Sequence, residues 1–203
     1  MDDSVLARGI MALKWEANYR KRFSGEKSVA MCFNAEQDDV DKDIFLNIEQ
    51  INLQGSTILD IGSGTGEQAI YLAQKGFQVT GIDISASAIE YARKFAQDSM
   101  VNVCFKVDNI LASDLDGQFD IVIDRGLYEL IAFENLEIYL ATVKRLMKPG
   151  GWYILKTARL KRKIDAVKAT SGLNIVKFED TEYRTLDNRT VKAWILVAQK
   201  TLF

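Results

Sequence analysis

Residues 57–67 read Thr57-Ile58-Leu59-Asp60-Ile61-Gly62-Ser63-Gly64-Thr65-Gly66-Glu67, an apolar run that breaks into three alternate glycines and then into a helix-forming segment. The run has the length and composition of a buried strand. Glycines at such a junction permit positive φ and let a ligand touch the backbone. Outward from this point the same rhythm repeats. Helical periodicity over 67–75 closes at Gly76, and 77–82 reads as a second strand. A helix that Ser85 or Ser87 caps follows, with Ala88, Ile89, Ala92, Phe95 and Ala96 on one face.

Val101, Val103, Phe105 and Val107 alternate with polar residues, as in an edge strand with one lightly covered face. The run 119–124 is apolar but for Asp120 and the closing Asp124, as suits an inner parallel strand. Leu136, Leu140, Val143 and Met147 then mark a helix that Pro149, Gly150 and Gly151 stop. A fifth strand over 152–156 and a helix over 161–170 follow. The ending differs: 173–183 and 191–199 are two strands with only Leu186-Asp187-Asn188-Arg189 between them. A parallel return needs a longer crossover, so these two are antiparallel neighbours.

Composition narrows the chemistry. The chain has 203 residues, 48% apolar, with one proline and a net charge of −2, which suits one globular domain and not a surface built to neutralise phosphates. It holds no histidine, and Cys32 and Cys104 form no ligand-type spacing, so neither a metal centre nor a Ser-His-Asp or Cys-His mechanism is expected. The start lacks the apolar core of a secretory signal, no stretch reaches membrane-spanning length, and two unpaired cysteines suit a reducing cytoplasm.

A glycine turn of this kind also serves nicotinamide and flavin sites, and Asp83 stands at the spacing where such a site places its ribose acid. Charge separates the readings. Asp60 and Glu67 flank the turn where a pyrophosphate would sit, and the spacing is GxGxG, not GxGxxG. A ligand with a sulfonium, an ammonium and no phosphate suits two acids and exposed backbone N–H groups better.

From Ser56 to Gln199 these residues resemble the Rossmann-like, class I S-adenosylmethionine-dependent methyltransferases. Asp60-Ile61-Gly62-Ser63-Gly64-Thr65-Gly66, Asp83, Asp108-Asn109-Ile110, Phe119-Asp120-Ile121-Val122 and Lys148-Pro149-Gly150-Gly151 fall in order at the five strands. The resemblance implies a three-layer, doubly wound α/β fold. Its seven-stranded, mostly parallel sheet would run in the order 3-2-1-4-5-7-6 with the last strand antiparallel. It divides the single domain, 1–203, into a cap or lid (1–45) and a core (56–203). It places Gly62 and Gly64 against the methionine end of the donor, with Asp60 addressing the ammonium. Asp83 takes the ribose hydroxyls, Asp108 the adenine amino group, and Ile84 and Ile110 the faces of the ring, with Asn109 beside them. Each acid taken singly fits a helix cap or a solvated loop as well.

Asp124-Arg125-Gly126 is similar to a triplet of the small-molecule subgroup that includes thiopurine, thiol and tellurite-resistance enzymes. There the loop faces donor and acceptor. Asp124 is expected to contribute most to catalysis, Arg125 to orient an anionic or polar acceptor, and Tyr128 and Glu129 to lie nearest for proton transfer. Trp15 and Tyr19, one helical turn apart, fit either a lid over the donor or core packing. Glu36, Asp38, Asp39, Asp41 and Asp43 read as a solvated acidic surface, and Lys156, Arg159, Lys161, Arg162, Lys163 and Lys168 as a solvated helix face. With no aromatics interleaved among those cations, nucleic acid is a poor partner. The short cap favours a small-molecule acceptor. The competing readings are RNA or protein methylation, a non-catalytic partner subunit, and a nucleotide-dependent oxidoreductase.

Overall fold

The computed structural model describes residues 13–21, 23, 40–51, 53, 55–160, 170, 172–184 and 190–202. After a helix over 13–21 (α1) and α2 (Lys42–Ile51), the chain alternates β1 (Thr57–Ile61), α3 (Glu67–Gln74), β2 (Gln78–Asp83), α4 (Ala86–Asp98) and β3 (Cys104–Val107). Then come β4 (Phe119–Arg125), α5 (Leu136–Leu146), β5 (Met147–Thr157), β6 (Asn174–Arg184) and β7 (Thr190–Gln199). All seven strands form one sheet in the order β3-β2-β1-β4-β5-β7-β6. The first five pair in parallel, and β7 runs antiparallel to both β5 and β6.

Alternation of side chains along the central strands builds one core on each face. Leu59, Ile61, Val122, Tyr153 and Leu155 face Tyr139, Leu140, Val143 and Leu146 of α5. Ile58, Ile121, Ile123 and Ile154 face the other way, onto Ile44 and Ile48 of α2, Ala69 and Leu72 of α3 and Ile89 and Ala92 of α4. This is the three-layer arrangement the sequence predicts. Helix α2 is the addition: Ile44, Ile48 and Ile51 repeat at i, i+4 and i+7, a helical stripe beneath the charges of the acidic stretch.

Two local expectations change and one alternative is decided. Strand β5 starts at Met147 rather than after the glycines, because Met147 pairs with Phe119 and the Lys148-Pro149-Gly150-Gly151 stretch is taken up as an irregularity before Ile121 meets Trp152. Gly151 is needed there, since a Cβ would stand 2.9 Å from the Lys148 carbonyl oxygen. Strand β3 is an edge, but it is shorter than the apolar alternation suggested, and Val107 is half exposed instead of inward. Ser85, not Ser87, caps α4, its Oγ accepting from the Ala88 N–H at 3.2 Å. The expected helix over 161–170 and the 186–189 connection lie outside the described residues, apart from Thr170.

Candidate active site

The glycine turn joins β1 to α3 with Gly62, Gly64 and Gly66 at φ of +72°, +53° and +89°. The sequence reading expects exposed backbone N–H groups here, but those of Gly62, Ser63, Gly64 and Gly66 are bonded inside the protein. Gly62 and Ser63 both donate to the Ile82 carbonyl, at 2.8 and 2.9 Å, and Gly66 donates to the Ser63 carbonyl. Gly64 donates to Asp83 Oδ2 at 3.0 Å. Among the described residues three buried side-chain atoms have no hydrogen-bond partner, the Asp60 Oδ2 acceptor, the Ser63 hydroxyl and the Gln68 Nε2 donor, and the carboxyl oxygen is the one with charge. Burial pushes the Asp60 carboxyl up to about 7, and the neighbouring Asp124 charge adds to the rise. A buried carboxyl with an uncommitted oxygen, beside four N–H groups already bonded within the protein, suits a cation better than a phosphate.

The ends of β2 and β3 stand beside the turn. Asp83 accepts from the Gly64 and Ser85 N–H groups, one on each oxygen, with the Ile84 N–H as a further donor, which leaves part of its four-site acceptor capacity. Burial raises its pKa. The Asp108 N–H donates to the Asp83 carbonyl at 2.9 Å, which brings the two acids' backbones together. The Asp108 side chain accepts from Ser113 Oγ, and Asn109 caps a short 3-10 turn that buries Ile110. Ile84 is half-buried.

Asp124 closes β4 with no exposure at all. Its Oδ1 accepts from the Leu127 and Tyr128 N–H groups at 2.8 and 3.3 Å, and its Oδ2 from the Tyr139 hydroxyl. Burial raises it to about 7 against those hydrogen bonds. Both oxygens are thus committed to the 127–128 backbone and to Tyr139. Tyr128 is buried too, edge-on to Tyr139 and under the Arg159 guanidinium. Glu129 Oε1 accepts from the Ala158 N–H at 2.6 Å.

With this arrangement in place, the model of the methyltransferase domain family matches residues 52–195. The chain belongs to that family. A 2-heptyl-1-hydroxyquinolin-4(1H)-one methyltransferase of Mycobacteroides abscessus is 34% identical over 110 residues, 53% of this chain and 48% of that protein. The magnesium protoporphyrin IX methyltransferase of Synechocystis, solved with bound SAM, shares the fold at a TM-score of 0.72 and 23% identity, over 99% of this chain and 98% of that one. TehB from Haemophilus influenzae shares it at 0.68 and 15% identity, over 80% of this chain and 63% of that one. Further relatives are named as rRNA and protein methyltransferases as well as small-molecule ones. The chain spans about half the length of the curated relatives it matches.

In this methyltransferase domain α1 lies over the glycine turn. A Cβ on Gly64 would stand 2.8 Å from the Tyr19 hydroxyl. Trp15, Tyr19, Phe23, Tyr91 and Phe95 form a column of ring contacts that docks α1 on α4, with Phe23 stacked on Tyr91 at 4.7 Å. Glu16, which sequence reasoning missed, fastens the helix. It accepts from Ser85 Oγ, Ser87 Oγ and the Ser87 N–H, at 2.6 to 3.1 Å. Despite an opposing contribution from burial, these bonds hold its carboxyl down at about 2. The only signal in the sequence is that Glu16 lies beside Trp15.

On the other side of the turn the acidic and basic stretches meet, which corrects both surface readings. Lys156 is 3% exposed and Asp41 9%, so neither is solvated. Lys156 Nζ lies 2.8 Å from Asp41 and 2.9 Å from Asp43, and Arg125 Nε lies 3.4 Å from Asp41. Asp43 also accepts from Thr181 Oγ1, and Gln68 Oε1 accepts from the Asp41 N–H at 2.8 Å. The cluster ties the start of α2 to α3, β4, β5 and β6 at the carboxyl edge of the sheet. The remaining members, Glu36, Asp38, Asp39, Lys161, Arg162, Lys163 and Lys168, lie outside the described residues.

Proposed function

We propose that the chain is an S-adenosylmethionine-dependent methyltransferase acting on a small-molecule acceptor. The observation that carries this reading is the orphaned Asp60 oxygen in a glycine turn whose Gly62, Ser63, Gly64 and Gly66 N–H groups are already committed. Such a turn repels pyrophosphate and receives an ammonium, so it disfavours the oxidoreductase alternative. The donor, when bound, supplies both the methyl group and most of the driving force for in-line displacement.

The protein's own residues then bind, orient and exclude water. Asp60, Gly62 and Gly64 hold the methionine end. Asp83 offers its spare lone pairs to the ribose hydroxyls, and Asp108, Asn109, Ile84 and Ile110 form the adenine side. Trp15 and Tyr19 cover the cleft from α1. Asp124 serves as a positioning residue for the 125–128 turn, because its oxygens are committed to that turn and to Tyr139. Arg125, held by Asp41, is the group on that turn that would orient a polar or anionic acceptor. Tyr128 shapes the turn's inner wall and is too deeply buried to meet an acceptor first.

Relatives named for RNA and protein substrates keep macromolecular methylation as the second reading within the same chemistry. Incubation with labelled donor against thiols, amines, phenols, carboxylates and metalloid oxyanions, with total RNA and protein extract as parallel arms, separates the two. Turnover on a small compound supports the first reading. Label entering only RNA or protein would replace it, and cofactor binding without turnover on any arm would favour a non-catalytic subunit.

A further inference from the structure

Behind the 125–128 turn stands a buried pair of hydroxyls. Tyr139 of α5 and Tyr153 of β5 are each 0% exposed. Their hydroxyls lie 2.9 Å apart, and the Tyr139 hydroxyl also donates to Asp124 Oδ2. The other Asp124 oxygen receives the Leu127 and Tyr128 N–H groups. Leu127 in turn rests on the glycine turn: a Cβ on Gly62 would stand 2.9 Å from Leu127 Cβ. A continuous chain of contacts therefore runs from Tyr153 through Tyr139, Asp124 and Leu127 to Gly62.

We propose that Tyr139 and Tyr153 are positioning residues that act through Asp124 to hold the 125–128 turn against the glycine turn, and so set the donor cleft. This rests on the donor reading of that cleft. Core packing alone would be served by phenylalanine at both positions, whereas tyrosine costs the burial of two hydroxyls and is retained only where they are hydrogen-bonded. Asp124 needs them. One Asp124 oxygen organises both backbone N–H groups, and the Tyr139 hydroxyl fixes the other, a hydrogen bond that favours the ionised form. Against ionisation stand burial and the charge of Glu129 in the following turn, and the carboxylate of Asp60 on β1 lies near enough to couple with it. Tyr128 and Tyr153 are the other titratable groups around the pair.

The test uses the full chain and its Tyr139→Phe and Tyr153→Phe variants, with S-adenosylhomocysteine as the probe. Calorimetric titration across pH, and amide hydrogen exchange of the Leu127–Tyr128 segment without ligand, are the readouts. Losing a hydrogen bond to a charged group weakens an interaction about tenfold. Tyr139→Phe is accordingly expected to bind about tenfold more weakly, to lose affinity from a higher pH downward as Asp124 protonates more readily, and to exchange faster at Leu127 and Tyr128. Tyr153→Phe, one bond further away, moves in the same direction by less. Wild-type affinity, pH profile and exchange in both variants, with only a lower Tm, would overturn the proposal. A wild-type chain that binds no S-adenosylhomocysteine would instead remove the donor reading, and amide exchange in the variants would still decide whether the tyrosines hold the turn.

Discussion

At the scale of single residues, the decisive group is Asp60. Its carboxyl and that of Asp124 are both pushed up to about 7, first by burial. An acid raised in the folded state binds more protons there than in the unfolded chain between its ordinary value and about 7, so stability falls as pH rises through that window. The lowered acids, Glu16, Asp43 and Asp120, have the opposite sign and act at the acidic end, below their ordinary values. Thermal melts of the ligand-free protein should therefore show Tm falling from about pH 5 to pH 8. Asp60→Asn should flatten that slope and cost about tenfold or more in S-adenosylhomocysteine affinity. A slope unchanged by the substitution would mean that Asp60 is not the group titrating. At the same scale, Glu16→Gln keeps the shape but loses the charge that gathers Ser85 and Ser87. Weaker donor binding at unchanged core stability is expected, read by titration alongside denaturant unfolding; equal affinity would show that α1 docks by its rings alone.

Among elements, the three glycines of one turn do different work. Gly64 faces α1 and Gly66 faces α4 and β3, where a Cβ would stand 2.9 Å from Ala92 Cβ and 2.7 Å from the Phe105 ring. Gly64→Ala should therefore act mainly on cofactor affinity, by displacing Tyr19 and straining the turn. Gly66→Ala should act mainly on stability, by about 1–3 kcal/mol through overpacking, with added backbone strain. Denaturant midpoints and titrations of the two variants check this, and the reverse pattern would contradict the assignment. The charge cluster offers a second test. Lys156→Met removes the nearer of the two cations that Asp41 meets among the described residues, and breaking such a buried pair costs about 3–5 kcal/mol. Adding Asp41→Asn should recover part of that loss, whereas additive losses would show that the two residues do not interact.

For the whole molecule, most of the architecture was legible because each strand carries its own apolar run and each helix its own stripe. The antiparallel ending followed from connection length, and the doubly wound core from the family resemblance carried by the glycine turn and the acids after the strands. Boundaries were less legible where pairing decides them, as at Met147, which continues an apolar helix face in sequence yet pairs with Phe119 in the sheet. The acids at the ends of β1, β2 and β3 were visible as residues in register. The partners that give them their meaning were not, since Lys156 and Asp41 are 115 residues apart and Tyr139 and Tyr153 look like any core aromatics. The same limit explains the reassignment of Asp124: its place in the chain marks it as important, and only its three donors show what it holds.

The central claim is that the cleft receives a sulfonium nucleoside through a buried carboxylate, with no seat for a pyrophosphate. Calorimetric titration of the full chain with S-adenosylmethionine, S-adenosylhomocysteine, NADH and NADPH at one pH tests it most directly. Saturable one-to-one binding of the first two, with no heat from either dinucleotide, is the predicted result. Binding of NADH or NADPH with no response to S-adenosylmethionine would contradict it.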